Sequence, residues 1–338
     1  MDFRTSEVSK LISMLRLHDA YGRKFSYLRL SITDACNFRC QYCLPNGFKP
    51  NGPANFLGVD EIKNLATTFA ALGTKKIRIT GGEPTLRKDV FEIARVIKAA
   101  GVETVAISTN AFNLASIAGE LKRSGVDQVN VSVDSLDRER FARRTGRDFL
   151  PDVLEGINLA LTQGFKSVKV NAVLMRENFE HEIKAFQEYV RHRKISVRFI
   201  ELMPTHDNKS FFYEQHVRGD ALRALLVDQG WEALERGTDD GPAFEFSHPD
   251  FEGRIGLIAP YAASFCDNCN RLRVTSRGGL RLCLFGEEDY PIRQWLQSPE
   301  QALELEAHLR DIVMTKKVSH FLERGEIGNN RSFSVMGG

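Results

Sequence analysis

Between Tyr27 and Leu202 short β-prone runs alternate with longer segments whose apolar residues recur at helical spacing. Strands are predicted at Tyr27–Thr33, Lys76–Thr80, Thr104–Thr109, Gln128–Val133, Val168–Val173 and Ser196–Leu202. Helices are predicted at Val59–Leu72, Val90–Ala100, Leu114–Ser124, Val153–Gln163 and Phe179–Arg193. Gly73, Gly101, Gly125 and Gly164 follow four of these helices, where a left-handed residue commonly ends the turn. Alternating strands and helices imply a parallel sheet with right-handed crossovers. Six such units are too few for an eight-fold barrel. A doubly wound open sheet would normally show G-x-G-x-x-G after the first strand, and no such turn is present. The pattern therefore predicts an α/β fold, an incomplete (β/α)6 TIM-like barrel, with its active groups at strand C-termini and the loops that follow.

Past Trp231 the texture changes. GTDDGP, residues 237–242, is a polar seam. Short β-like runs follow, then a charged helical stretch at Pro299–Arg324. This predicts an N-terminal extension over 1–20, the partial barrel over 21–235 and a smaller C-terminal domain over 236–338. Apolar residues make up 42% of the 338, and the formal net charge is +2. A charge so near neutral exerts no global pull on nucleic acid or a membrane surface, so neither is an expected partner. No run approaches the roughly 18 apolar residues of a membrane span, and the first residues are polar. A cytoplasmic location is expected, where cysteines stay reduced.

The six cysteines fall into two groups of three: Cys36, Cys40 and Cys43, then Cys266, Cys269 and Cys283. The first, CNFRCQYC, directly follows the first predicted strand. Three thiolates so close together form a compact soft-ligand site. A structural zinc needs four ligands, so it would require a distant one. A [4Fe–4S] cluster normally takes four thiolates, so three leave one iron open. The second group, CDNCNRLRVT followed by Cys283, also offers three thiolates. Arg271 and Arg273 alternate along a predicted strand, so both side chains share a face. They suit a polyphosphate clamp, because guanidinium groups pair with phosphate oxygens two at a time.

C-x₃-C-x₂-C after the first barrel strand, with Tyr42 inside it, resembles the radical S-adenosylmethionine (SAM) enzymes. In that superfamily the open iron chelates SAM, and reductive cleavage gives methionine and a 5′-deoxyadenosyl radical. TGGEP, residues 80–84, resembles the superfamily motif that holds the SAM amino group. C-x₂-C-N-R-x-R-x-T…C is similar to the GTP 3′,8-cyclase family of molybdenum cofactor biosynthesis. That resemblance runs from Asp19–Arg23 through LRLSITDACNFRCQYCLP, TGGEPTLR and FIELMP to the terminal Gly337 and Gly338. Thr205-His206 stands where the family has Thr-Gly.

The resemblance implies two [4Fe–4S] clusters, the second on Cys266, Cys269 and Cys283 with its open iron toward guanine. It implies SAM contacts at Tyr42, Gly82, Ser132 and Met203. It implies GTP contacts at Arg29, Arg78, Thr109, Lys169, Arg271, Leu272 and Arg273. Arg271, Arg273, Gly337 and Gly338 are implied in the radical step, the two glycines by threading into the active site. The plain alternative for that tail is a frayed end. The implied reaction is abstraction of the C3′ hydrogen of GTP and closure onto C8 of guanine. Implied partners are a flavodoxin-like electron donor and a downstream cyclic pyranopterin monophosphate synthase; a homodimer is compatible with the sequence. Two other classes fit parts of the pattern. A peptide-modifying radical SAM enzyme usually carries more auxiliary cysteines. A zinc-stabilised nucleic-acid module would show a basic, aromatic-rich stripe, which is absent.

Overall fold

A computed structural model describes residues 16–50, 52–235, 237, 241–329 and 332–335. Gly337 and Gly338 lie outside the described residues.

All six expected strands are present: β1 (Tyr27–Ser31), β2 (Lys76–Thr80), β3 (Thr104–Thr109), β4 (Gln128–Ser132), β5 (Ser167–Leu174) and β6 (Ser196–Glu201). They pair in sequence order and all in parallel. The intervening helices bury apolar stripes such as Ile62, Leu65 and Phe69 against the outer face of the sheet. Gly73, Gly101, Gly125 and Gly164 all have positive φ at the helix ends. Three helices were not predicted from the sequence: Arg138–Thr145, Lys209–Gln215 and Gly219–Asp228. The first has Phe141 as its buried apolar anchor, and Asp137 caps it by accepting from the Arg140 amide at 2.8 Å.

The C-terminal segment extends this sheet at both edges. β9 (Arg254–Ile258) pairs in parallel with β6, and β10 (Arg271–Val274) pairs in parallel with β1. Beyond them lie antiparallel β8 (Phe244–Ser247) and β7 (Glu232–Ala233) on one side. On the other lie β11 (Gly279–Arg281) and β12 (Tyr290–Pro291). Strands β12 and β7 end the sheet, which stays open. The barrel is thus incomplete, as expected.

The helix predicted over Pro299–Arg324 is regular α-helix only from Ala302 to Met314. Arg23 ties down the chain that follows. It donates to the carbonyls of Lys317 and Val318, both at 2.7 Å, and to that of Cys266 at 3.2 Å. Those carbonyls are thereby committed outside a helical ladder.

Candidate active site

The loop after β1 carries the first cysteine triad. Phe38 anchors it, stacking on Phe149 at 6.0 Å and meeting Phe141 edge-on at 6.2 Å. The Arg39 and Gln41 amides donate to the carbonyls of Thr145 and Arg144, at 2.8 and 3.0 Å. A tight turn follows, in which the Leu44 amide donates to the Cys40 carbonyl at 2.8 Å. This places Cys36, Cys40 and Cys43 on one wall of a cavity of about 170 Å³ at the C-terminal ends of the strands.

The glycine pair after β2 forms the adjoining wall. A Cβ on Gly82 would lie 2.3 Å from the Ala35 carbonyl oxygen, and one on Gly81 2.4 Å from that of Thr33. Only glycines let these backbones approach so closely. Glu83 turns away from the cavity. Its carboxylate is 1% exposed and accepts from the Thr85 amide (3.0 Å) and hydroxyl (2.6 Å), the Thr109 hydroxyl (2.8 Å) and the Asn110 amide (2.6 Å). It therefore braces β2 against β3. Tyr42, Gly82, Ser132 and Met203, all expected at SAM, line this cavity together. Tyr42 donates to buried Asp134 at 2.9 Å. Asn208 ties the Met203 loop to the cysteine loop, donating to the Tyr42 carbonyl at 2.9 Å and to that of Met203 at 3.2 Å. His206 Nε2 lies 3.0 Å from the Gly328 carbonyl, linking the same loop to the C-terminal segment. The Ser332 hydroxyl donates to the Cys43 carbonyl at 2.7 Å, and Phe333 and Ser334 line the cavity.

A second cavity, of about 330 Å³, lies deeper in the barrel. Side chains on one face of each strand point into it. Arg29, Arg78, Lys169, Arg271 and Arg273 all line it, as do Cys266, Cys269 and Cys283. Two expected residues do not. Thr109 faces the first cavity and is held by Glu83. Leu272 alternates to the opposite face of β10 and is buried in the core, so it can offer only its main chain. Sequence reading missed Lys76 and Arg198, which also line the cavity. The signal was there: Lys76 lies two residues before Arg78, and Arg198 two before Ile200, each pair on one face of its strand.

The crowded cations depress one another. Burial, and then Arg198, bring Lys169 down to about 8. Burial brings Lys76 down to about 8 and Arg29 to about 10. Burial pushes the Tyr27 hydroxyl up, but Arg78, Arg29 and Lys76 outweigh it and lower it to about 7. Glu245 is the counter-charge, paired with Arg198 through Nε at 2.8 Å and lying 3.9 Å from Lys169. Such a cavity favours a polyanion.

The two triads differ electrostatically. Burial raises Cys36 to about 11 and Cys43 to about 12. Burial also pushes Cys269 up, yet Arg271 and Lys316 outweigh it and bring it to about 7. Among the described residues, no three His, Cys, Asp or Glu side chains converge on a single metal ion. All six thiols are free and stand three to a cavity, a donor set suited to a sulfur-bridged iron cluster with one open iron. Asn171, Ile200 and Met203 line both cavities, so the two adjoin.

Residues 30–190 match the Radical SAM superfamily, and residues 195–322 match Molybdenum Cofactor Synthesis C. A GTP 3′,8-cyclase of Yersinia pestis is 46% identical over 96% of this chain and 100% of its own length. One from Photorhabdus laumondii is 47% identical over 96% and 99%.

The chain belongs to the GTP 3′,8-cyclase family.

Among solved structures, SAM-bound Streptococcus suis SuiB superposes with a TM-score of 0.62 at 14% identity, covering 92% of this chain and 71% of that one. AdoMet-bound anSMEcpe gives 0.56 at 15%, covering 86% and 84%. At such identities the likeness establishes the radical SAM fold alone. Members of the superfamily use a [4Fe–4S] cluster and SAM, and both triads of this GTP 3′,8-cyclase family member have the donors for a cluster.

Proposed function

We infer that the chain converts GTP to (8S)-3′,8-cyclo-7,8-dihydroguanosine 5′-triphosphate, the first step of molybdenum cofactor biosynthesis. One observation carries this reading above all: two cysteine triads open onto adjoining cavities, one apolar and one strongly basic, that share Asn171, Ile200 and Met203. When bound at Cys36, Cys40 and Cys43, the cluster supplies the electron that splits SAM into methionine and a 5′-deoxyadenosyl radical.

The chain's own residues do the rest. Tyr42, Gly82, Ser132 and Met203 hold SAM at the strand ends. Gly82 offers backbone rather than side chain there, which the close Ala35 carbonyl enforces. Glu83 and Thr109 keep that wall rigid through their hydrogen bond. In the second cavity Arg29, Arg78, Lys169, Arg271 and Arg273, joined by Lys76 and Arg198, hold the triphosphate. Arg makes paired contacts to phosphate that Lys cannot. Cys266, Cys269 and Cys283 would hold the second cluster, whose open iron would take the guanine, with Leu272 contributing main chain only. The ribose then lies at the shared wall, with C3′ facing the first cavity. Closing both cavities excludes water from the radical. The reading also gives Gly337 and Gly338, which lie outside the described residues, a part in the radical step.

No described helix is long and apolar enough to cross a membrane. The reading places the enzyme in the cytoplasm, drawing its electron from a flavodoxin-like donor. It leaves the product to a cyclic pyranopterin monophosphate synthase. The barrel over 21–235 and the segment from 236 act together, because β9 and β10 extend the barrel sheet at its two edges.

The test is anaerobic reconstitution, then incubation with SAM, reductant and each of the four nucleoside triphosphates. GTP deuterated at C3′ should pass its deuterium into 5′-deoxyadenosine and yield the cyclised nucleotide. Deuterium retained in the nucleotide, or turnover with another triphosphate in place of GTP, would overturn the reading.

A further inference from the structure

Arg198 lines the basic cavity, yet its guanidinium is held from two strands away. In the sheet it stands level with Gly256 of β9, and Gly256 stands level with Glu245 of β8. Arg198 spans this row. It donates to Glu245 Oε1 through Nε at 2.8 Å and also through Nη2.

Gly256 makes the crossing possible. A Cβ there would lie 2.9 Å from Cγ of Arg198, while its next neighbours are looser, at 3.5 Å and beyond. Gly256 is not among the residues with positive φ, so its backbone has no need of glycine. A glycine inside a strand weakens it and often marks the close approach of another group. Here that group is the aliphatic part of Arg198.

Glu245 is itself held in place. Its side chain is 16% exposed, and the Ser196 hydroxyl donates to Oε1 at 3.1 Å. Lys169 Nζ stands 3.9 Å from the same oxygen. Burial pushes the Glu245 carboxyl up, but Arg198 and Lys169 outweigh it and keep it ionised. Both of those cations line the basic cavity. The Arg198 fork is gripped by its Nε–Nη2 edge, and Nη1 is not committed to the carboxylate. A cation already oriented gives up less freedom when its ligand arrives.

We propose that Glu245 is a positioning residue for the triphosphate: across Gly256 it grips the Arg198 fork by one edge and steadies Lys169 beside it, so that both cations meet the phosphates already aligned. This rests on the reading that the basic cavity takes the triphosphate of GTP. The charged groups that face Lys169 are Arg198 on β6, Glu245 on β8, and Lys76 and Arg78 on β2. Of these, Glu245 alone favours the ammonium.

The experiment is equilibrium binding to the anaerobically reconstituted full chain, with GTP, guanosine and inorganic triphosphate as probes. In wild type, inorganic triphosphate should displace GTP. Failure to displace it would take the triphosphate out of this cavity, and the proposal with it. With displacement established, Glu245→Gln and Gly256→Ala should each weaken GTP binding about tenfold and leave guanosine nearly unchanged. The first removes the charge that grips Arg198; the second displaces Arg198 with the carboxylate intact. In an Arg198→Ala background, Gly256→Ala should cost nothing further, because its effect runs through that side chain. Glu245→Gln should also shift the pH profile. Affinity is lost as pH rises through the pKa of Lys169, and without its counter-charge Lys169 gives up its proton at lower pH, so the loss should begin earlier than in wild type. Tighter GTP binding in Glu245→Gln would overturn the proposal, since the carboxylate would then merely repel the phosphates. Unchanged GTP affinity in either variant, an unmoved pH profile, or a Gly256→Ala loss that persists without Arg198 would overturn it too. Equal weakening of GTP and guanosine would reduce the row to packing and do the same. In each of these cases the triphosphate reading would stand.

Discussion

Lys169→Arg should flatten the pH dependence of GTP affinity. In the empty cavity burial, and then Arg198, bring Lys169 down to about 8. A bound triphosphate favours the charged ammonium, so above pH 8 binding must take up a proton. The sign follows. Affinity is full below the depressed pKa and is lost as pH rises through it. For one lysine with a free-state pKa near 8 that is protonated in the complex, Kd rises about tenfold between pH 7 and pH 9, about 1.4 kcal/mol. Arginine stays charged throughout this range. Lys76, at about 8, and Tyr27, at about 7, titrate in both proteins and largely cancel in the comparison. The measurement is equilibrium binding of GTP at pH 7, 8 and 9 and constant ionic strength, on anaerobically reconstituted wild type and variant. The ratio of variant to wild-type Kd should fall about tenfold from pH 7 to pH 9. A ratio independent of pH would refute the assignment of Lys169 to the triphosphate, because a lysine far from the anion has no reason to couple to it.

Alanine at Cys36, Cys40 or Cys43 should abolish 5′-deoxyadenosine formation, whereas Cys283→Ala should keep SAM cleavage and lose cyclisation; iron analysis and product chromatography read both. Gly82→Ala should weaken SAM binding by about tenfold or more, roughly 1.4 kcal/mol, since the new Cβ would lie 2.3 Å from the Ala35 carbonyl; equilibrium dialysis checks it, with circular dichroism as the control for folding. Phe38→Ala empties the aromatic anchor of the cysteine loop and should cost about 3–5 kcal/mol in denaturant unfolding of the chain. Arg271→Ala and Arg273→Ala should each cost roughly 1.5–3 kcal/mol of GTP affinity while guanosine binding hardly changes, a contrast that isothermal titration reads directly.

Much of this molecule is written in local pattern. Strands such as Lys76–Thr80 and helices such as Val90–Ala99 announce themselves because burial on one face demands a period that shows in the residues. The triads are equally legible, since cluster chemistry needs thiolates whatever surrounds them. Helix Arg138–Thr145 was not, because its stability comes from Phe141 meeting Phe38 of a distant loop rather than from its own amphipathic stripe.

The partners that each element finds lie beyond such patterns. A strand's sequence shows which face is buried but not which neighbour it pairs with, since pairing is a contact between distant segments. The C-terminal segment lays β9 beside β6 and β10 beside β1. That pairing puts Arg273 level with Arg29, and Arg29 level with Arg78, and so gathers the basic cavity. Thr109 goes to Glu83 and Leu272 to the core for the same reason: a side chain's task depends on what folds against it. Residue chemistry and local period were sufficient for the strands and the triads, and resemblance to a family supplied the cofactor. The register between distant strands, which only long-range burial and hydrogen bonding can set, brought the two cavities against one shared wall.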